Sequence, residues 1–363
     1  MNAYINAYSS SSCAGDTEAL MNSIYDQQSA ISIDTNYIND ISVGLGKMRQ
    51  NNFFDILNNT VLEVLENSNL KNFNETLLIV GSSVGGMAES EQHYFKDKNY
   101  KNINPNRHII SVIEDSLNNY FSFLSSRSIS TACTSSANAL LLAKRLINIG
   151  AYENILVVGA DMLCYTTVCG FNALGVLSSK PCRPFDEQRD GMNVAEAVAA
   201  LLIQNKKEID SIELAGVGAS SDAYHITNPD PEAKGAISAM EKALSDANIL
   251  PTQIDYINAH GTGTIANDNV EALAVEKLFE MVPVSSTKAI TGHTLGAAGA
   301  LEAIIACEVI KRGEIPSQTA LQTAQNKNIN LPSKTIFKNI TYVLSNSFAF
   351  GGNNTSLLFG ALS

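Results

Sequence analysis

Cys133 lies in Thr131-Ala-Cys133-Thr-Ser-Ser-Ala-Asn, where an apolar run gives way to small hydroxyl residues and a helical pattern begins near Ser135. A cysteine at a helix start meets unpaired N–H groups and the positive end of the helix dipole. That predicts a thiol pKa below the free value of ~8.5 and a thiolate available as nucleophile. A small buried thiol in a tight turn fits the same residues. His260 stands in Asn258-Ala-His260-Gly261-Thr-Gly263-Thr264, directly after an apolar strand pattern, beside glycines that let the backbone approach a ligand closely. Gly261-Thr-Gly263 lacks the third glycine of a dinucleotide fingerprint and the lysine of a phosphate loop, and a histidine capping the turn is the other reading. His293 ends Lys288-Ala-Ile-Thr-Gly292-His293, ahead of Gly296-Ala-Ala-Gly-Ala-Leu-Glu302, whose small residues let a helix pack on another backbone at short range. The other three of the five histidines, His93, His108 and His225, have polar neighbours and are expected to be solvated. In Asn346-Ser-Phe348-Ala-Phe350-Gly351-Gly352-Asn353-Asn354, paired glycines join two apolar strand patterns. Such a turn can present N–H groups to an oxyanion, or be a plain hairpin with a packed aromatic.

Ile- and Val-rich runs alternate with helical patterns throughout, the signature of an α/β protein. Strands are expected over 77–81, 129–132, 155–159 and 254–259, and helices over 135–149 and 232–247, stopped by Gly150 and Pro251. The second half restates the first, because buried strands end at small-residue turns carrying Cys133, His260 and His293. Two similar halves meeting at one site are expected, over 1–205 and 206–363. No stretch reads as a linker; the serines at 9–12 lie near the N-terminus and 322–330 is a surface loop.

Across 363 residues, 24 Lys+Arg face 36 Asp+Glu, and a net charge of −12 with no basic block argues against a nucleic-acid partner. The longest apolar stretch, 197–203, is far short of the ~18 residues that span a bilayer. The first residues lack the basic start of a signal peptide, so a soluble, cytoplasmic protein with no membrane association is expected. Six cysteines are too sparse for a disulfide scaffold and none has the spacing of a zinc or redox pair.

Taken in order, these segments resemble the elongating β-ketoacyl-acyl-carrier-protein synthases of the thiolase-like superfamily. Thr131-Ala-Cys133-Thr-Ser is similar to the family's nucleophile motif, and Asn258-Ala-His260-Gly-Thr-Gly-Thr to its first histidine motif. Lys288 through Glu302 resembles its Lys/His/Glu block, 346–354 its glycine-rich turn, and Pro184-Phe-Asp186-Glu-Gln-Arg189-Asp190-Gly191 a further signature. The resemblance implies a five-layer αβαβα sandwich of two similar halves, usually dimeric. It also implies decarboxylative Claisen condensation of malonyl-ACP with an acyl chain held on Cys133, in fatty acid or type II polyketide or polyene synthesis. In that scheme the N–H groups of Cys133 and Phe350 hold the oxyanion, and His260 and His293 stabilise the enolate. Lys288 and Glu302 hold His293, unless they are a structural ion pair, and Phe350 gates an acyl pocket whose lining includes Met87 and Phe171. The family implies no metal and no dissociable cofactor, since phosphopantetheine arrives on the acyl carrier protein. Paired histidines set the chain apart from thiolases, which use a second C-terminal cysteine, and from starter-condensing synthases, which place Asn where His293 stands.

Departures bear on partners. The chain is short for the family, its opening strand and turn read Ile5-Asn-Ala-Tyr-Ser-Ser-Ser-Ser-Cys13, and Met192-Asn-Val-Ala-Glu-Ala replaces a glycine-richer segment. Gly175 stands where family members carry a carrier-contacting arginine. Lys96, Lys98, Lys101, Arg107 and Arg127 are candidates for a patch meeting an acidic carrier helix. The expected assembly is a homodimer or a heterodimer with a related ketosynthase subunit. The alternative function is a non-catalytic partner that sets chain length, although such a subunit has no need of a nucleophile at this turn.

Overall fold

The computed structural model describes residues 1–38, 40–49, 52–101 and 103–362. Ten strands form two sheets of five: β1 (Tyr4–Ser12), β2 (Thr76–Gly81), β3 (Ser125–Ile129), β4 (Asn154–Asp161) and β5 (Ala197–Gln204), then β6 (Ile212–Ser221), β7 (Tyr256–Asn258), β8 (Val284–Ser285), β9 (Tyr342–Phe348) and β10 (Asn353–Gly360). The first sheet runs β1-β5-β4-β2-β3 and the second β6-β10-β9-β7-β8, the same order. The pairing senses match as well, with the first strand antiparallel to the fifth, the fifth to the fourth, and the rest parallel. The two are continuous, hydrogen-bonded into one sheet where Tyr4 and Ile5 pair antiparallel with Glu213 and Ile212.

Alternation along the strands builds the layers. Leu77 and Ile79 face one core with Ile155, Val157, Leu201 and Ile203, whereas Leu78 and Val80 face another with Leu156, Val158 and Leu202. The first face is covered by α4 (Ser135–Asn148), while α1 (Phe53–Glu66) and α3 (Val112–Phe121) cover the second; α2 (Met87–Asp97) packs Ala88 into a separate cluster with Val84 and Met162. In the second half α8 (Ala298–Arg312) joins α4 in the shared central core, and α6 (Lys234–Ala247) and α7 (Ile265–Leu278) cover the outer face; α5 (Tyr165–Ala173) lies between β4 and β5 in sequence. The result is the expected αβαβα sandwich. Its central layer is thin because small residues face each other, and a Cβ on Gly299 would lie 2.6 Å from the Ala137 nitrogen. Both sides of β5 are buried, which is why 197–203 reads as one apolar run.

The strand expected at 129–132 ends at Ile129 and begins earlier, at Ser125. As the edge strand of its sheet it is only partly buried, so its serines and Arg127 carry no apolar signature, and Ala132 turns the chain with a left-handed φ of 52°. The serines at 9–12 lie inside β1, where Ser9 Oγ donates to Glu63 Oε2 (2.5 Å) and Ser10 Oγ is 2.9 Å from Thr17 Oγ1. Among the described residues no helix is long and apolar enough to cross a membrane.

Candidate active site

Cys133 follows β3 and precedes α4, and the turn that holds it is built by hydroxyls. Thr134 Oγ1 donates to the Thr131 carbonyl (2.7 Å), Ser135 Oγ to the Ala132 carbonyl (2.6 Å), and Asn138 Nδ2 to Thr131 Oγ1 (2.9 Å). The backbone N–H groups of Cys133 itself and of Phe350 favour the thiolate form. The thiol is nevertheless pushed up to about 12, opposite to the expected direction. Burial is the largest cause, opposed by Lys288 and the two N–H groups and reinforced by Asp161. At rest the group is a protonated thiol, because a helix start offers less to a charge than the water it has lost.

His260 is fixed through its backbone. Its N–H and that of Gly261 donate to the two carboxylate oxygens of Glu271, each at 2.8 Å, and Asn346 Nδ2 donates to the same group at 3.2 Å. Burial raises the Glu271 carboxyl to about 7 against these donors. Lys288 Nζ donates to the His260 carbonyl (2.6 Å), lies 3.4 Å from His260 Nδ1 and pairs with Glu302 Oε1. An ammonium can only donate, so Nδ1 accepts and Nε2 carries the imidazole proton. Lys288 thus orders His260, where the expectation had it and Glu302 holding His293. The short helix that it opens (Lys288–Thr291) directs its chain back toward the His260 turn. Burial pushes the Glu302 carboxyl up while Lys288 holds it down.

His293 is tied to the first half, its N–H donating to the Asn193 carbonyl (2.7 Å) and its carbonyl accepting from Ala195 N–H (3.0 Å). The two imidazoles meet edge to face, centroids 5.2 Å apart with planes at 86°. Both are held well below the usual 6.5, by burial first and then by Lys288; His293 adds to the effect on His260. Two neutral rings that can donate N–H therefore stand beside a thiol.

A cavity of about 410 Å³ brings together Cys133, His260, His293 and Phe350, with Lys288 and Glu302 1% and 3% exposed behind the rings. Phe350 packs 5.9 Å from Phe171, and both line the cavity. Met87 does not; it packs against Cys164, 3.5 Å from its sulfur. The Pro184–Gly191 signature is a brace, since Asp186 accepts from the N–H groups of Gln322 and Thr323 while Arg189 donates to Asn269 and the Asp186 carbonyl. Of the candidate carrier contacts, Arg107 is engaged by both oxygens of Glu89 at 2.6 Å, whereas Lys96, Lys98, Lys101 and Arg127 are exposed.

The sequence reading missed Glu271 and Asp161. Glu271 had a signal: Asp268, Glu271, Ala272 and Val275 share the buried face of α7 at helical spacing, and acids on such a face need donors. Asp161 had none, because its partners come from two segments far from it in sequence, residues 82–84 and 296.

Residues 13–208 match the family model of the β-ketoacyl synthase N-terminal domain, and residues 211–322 that of its C-terminal domain. The chain belongs to the β-ketoacyl synthase family. It is 39% identical over 251 residues to a 3-oxoacyl-[acyl-carrier-protein] synthase 2 of Coxiella burnetii, covering 64% of this chain and 60% of that one. A protein of the same name from Staphylococcus aureus is 35% identical over 247 residues, covering 63% and 61%. The chain thus spans about 60% of the length of these curated relatives. Among solved structures, a ketosynthase in complex with its chain length factor from Xenorhabdus doucetiae aligns with a TM-score of 0.90 at 32% identity, over 99% of this synthase chain and 98% of its own. A β-ketoacyl synthase from Burkholderia phymatum shares the fold, with a TM-score of 0.89 at 24% identity and full coverage of both chains.

Proposed function

We propose that this synthase catalyses decarboxylative condensation of malonyl-acyl-carrier protein with an acyl chain carried on Cys133. The observation that carries the reading is the convergence of one thiol and two neutral imidazoles on a single cavity. The Cys133 sulfur attacks the carbonyl of an acyl-phosphopantetheine thioester. The carbon–sulfur bond to pantetheine breaks and that thiol leaves with the proton that Cys133 gave up. One thiol replaces another, so a resting thiol of high pKa is no obstacle to the overall balance. Phosphopantetheine belongs to the carrier, and the chain supplies the sulfur, the donors and the enclosure.

His260 and His293 then donate N–H bonds to the thioester oxygen of the malonyl group. Loss of carbon dioxide leaves an enolate on that oxygen, a step that removes no proton from carbon and needs donors rather than a base. The enolate carbon attacks the acyl-Cys133 carbonyl, and the N–H groups of Cys133 and Phe350 face the oxyanion. Collapse releases the β-ketoacyl product and expels the Cys133 sulfur as thiolate, which takes up one proton from solvent to return to the resting thiol; one such donor contributes ~3 kcal/mol.

The sheet edges favour pairing with a second synthase chain, a copy or a relative. The outer edge of β8 is covered, with Val284 N–H donating to the Asn330 carbonyl and Ser286 N–H to Gln318. The equivalent strand β3 pairs with β2 alone among the described residues, and an uncovered edge is a template for another strand.

The test is intact-protein mass spectrometry after exposure to acyl-carrier protein, with Cys133→Ala in parallel, followed by malonyl-carrier protein. The expected result is an adduct on the native chain only, discharged as β-ketoacyl product. No adduct at any acyl length, with a second synthase chain copurifying, overturns the reading in favour of a non-catalytic partner that sets chain length.

A further inference from the structure

Asp161 ends β4, is wholly buried, and lies behind the cavity rather than in it. Its Oδ1 accepts from Ser82 Oγ (2.5 Å) and from the N–H groups of Ser83 and Val84 (both 3.0 Å). Its Oδ2 accepts from Ser83 N–H (2.9 Å) and from Gly296 N–H (2.6 Å). Each of these groups is a donor, so the ionised carboxylate satisfies them all and an amide does not. Ser83 continues the chain of contacts, its Oγ donating at 2.9 Å to the carbonyl of Ala132, the left-handed residue that aims Cys133. Gly296 lies three residues beyond His293, and a Cβ there would come within 2.7 Å of Asp161 Oδ2 and 2.6 Å of Ser83 N, so the two turns touch without a side chain between them.

We infer that Asp161 is a positioning residue that fixes the spacing between the nucleophile turn of the first half and the His293 turn of the second. The inference rests on the proposed condensation for its kinetic consequence, but not for its geometry. One carboxylate is bound on one side to the segment that holds the Ala132 carbonyl and on the other to the turn that follows His293. The distance from sulfur to imidazole is thereby set at a point neither side chain touches. Burial raises the Asp161 carboxyl against its four donors, and its negative charge acts through space on the thiol, against the positive Lys288, in a site that also holds the neutral His260 and His293 and the buried carboxyls of Glu271 and Glu302.

Two variants separate positioning from general damage. In Asp161→Asn the pH profile of Cys133 alkylation by iodoacetamide moves to lower pH, because a negative neighbour is gone. The rate at fixed neutral pH rises, because a larger fraction of the sulfur is thiolate. Condensation turnover falls by about 100-fold, the scale of a misplacement near 1 Å. In Ser83→Ala the carboxylate and its charge remain, so the alkylation profile stays in place while turnover falls. An Asp161→Asn chain that alkylates on the wild-type profile, or a Ser83→Ala chain with undiminished turnover, overturns the inference. General unfolding is distinguished by faster alkylation in both variants with loss of the thermal transition, and that outcome also counts against a positioning role. Alkylation requires no condensing activity, so failure of the proposed function leaves this part of the test readable.

Discussion

Replacing Lys288 by Met tests the electrostatic account of the site most directly. Its Nζ has three partners: the Glu302 carboxylate, the His260 carbonyl at 2.6 Å and His260 Nδ1 at 3.4 Å. Removing the ammonium leaves a carboxylate that is 3% exposed without its counter-charge, at a cost of ~3–5 kcal/mol, or a fall in melting temperature of roughly 4–7 °C for a chain of this length. Adding Glu302→Leu removes that carboxylate and leaves the His260 carbonyl as the chief unpaired group, at ~1–3 kcal/mol. The double variant is therefore expected to melt above the single one. Loss of the positive charge also lets both imidazoles protonate more readily. The acid limb of malonyl-carrier decarboxylation, which in the wild type lies below pH 6.5, moves upward toward it in both variants. Thermal unfolding and carbon dioxide release between pH 5 and 8 read the two effects separately. A double variant no more stable than the single one, or an acid limb that stays in place, refutes the reasoning.

Both imidazoles are neutral in the fold but would protonate near 6.5 in the unfolded chain, so their contribution to stability is present above that pH and lost below it. In His293→Asn the drop in melting temperature between pH 7 and pH 5 is expected to be smaller than in the wild type. Gly81→Ala places a Cβ 2.5 Å from the Ser136 backbone at the start of α4; it is expected to cost ~1–3 kcal/mol by thermal unfolding and to displace Cys133, with loss of turnover. Phe350→Ala removes the ring packed on Phe171 and admits water, so the acyl adduct on Cys133 is expected to hydrolyse faster when its half-life is followed by mass spectrometry.

The residues that meet in the cavity were legible because each stands beside small, turn-forming neighbours: Cys133 and His260 follow strands, and His293 follows a short helix ahead of α8. The fold class was legible for a related reason, since runs such as 197–203 record burial on both sides of a sheet. What the sequence did not carry was burial at particular atoms. A helix start predicted a lowered Cys133 pKa, and the loss of water around the sulfur reverses it. Lys288 lies five residues before His293, yet its ammonium reaches back 28 residues to His260, a distance closed by the pairing of β7 with β8. Asp161 draws donors from residues 82–84 and 296, and no local pattern marks a carboxylate that holds together segments so far apart.

The repeated strand order has a consequence for what can be inherited separately. Cys133 follows the third strand of the first half and His293 the third strand of the second, so equivalent addresses hold different chemistry. A piece ending after β5 has sulfur and no imidazole donor in its site; a piece beginning at β6 has both imidazoles and nothing to acylate. Under the proposed condensation, copying either half reproduces one side of the reaction, and selection for it can act only on the pair. A substitution in one half is then judged by what it does to the other, and the seam, rather than either sheet, is the unit that descent must preserve.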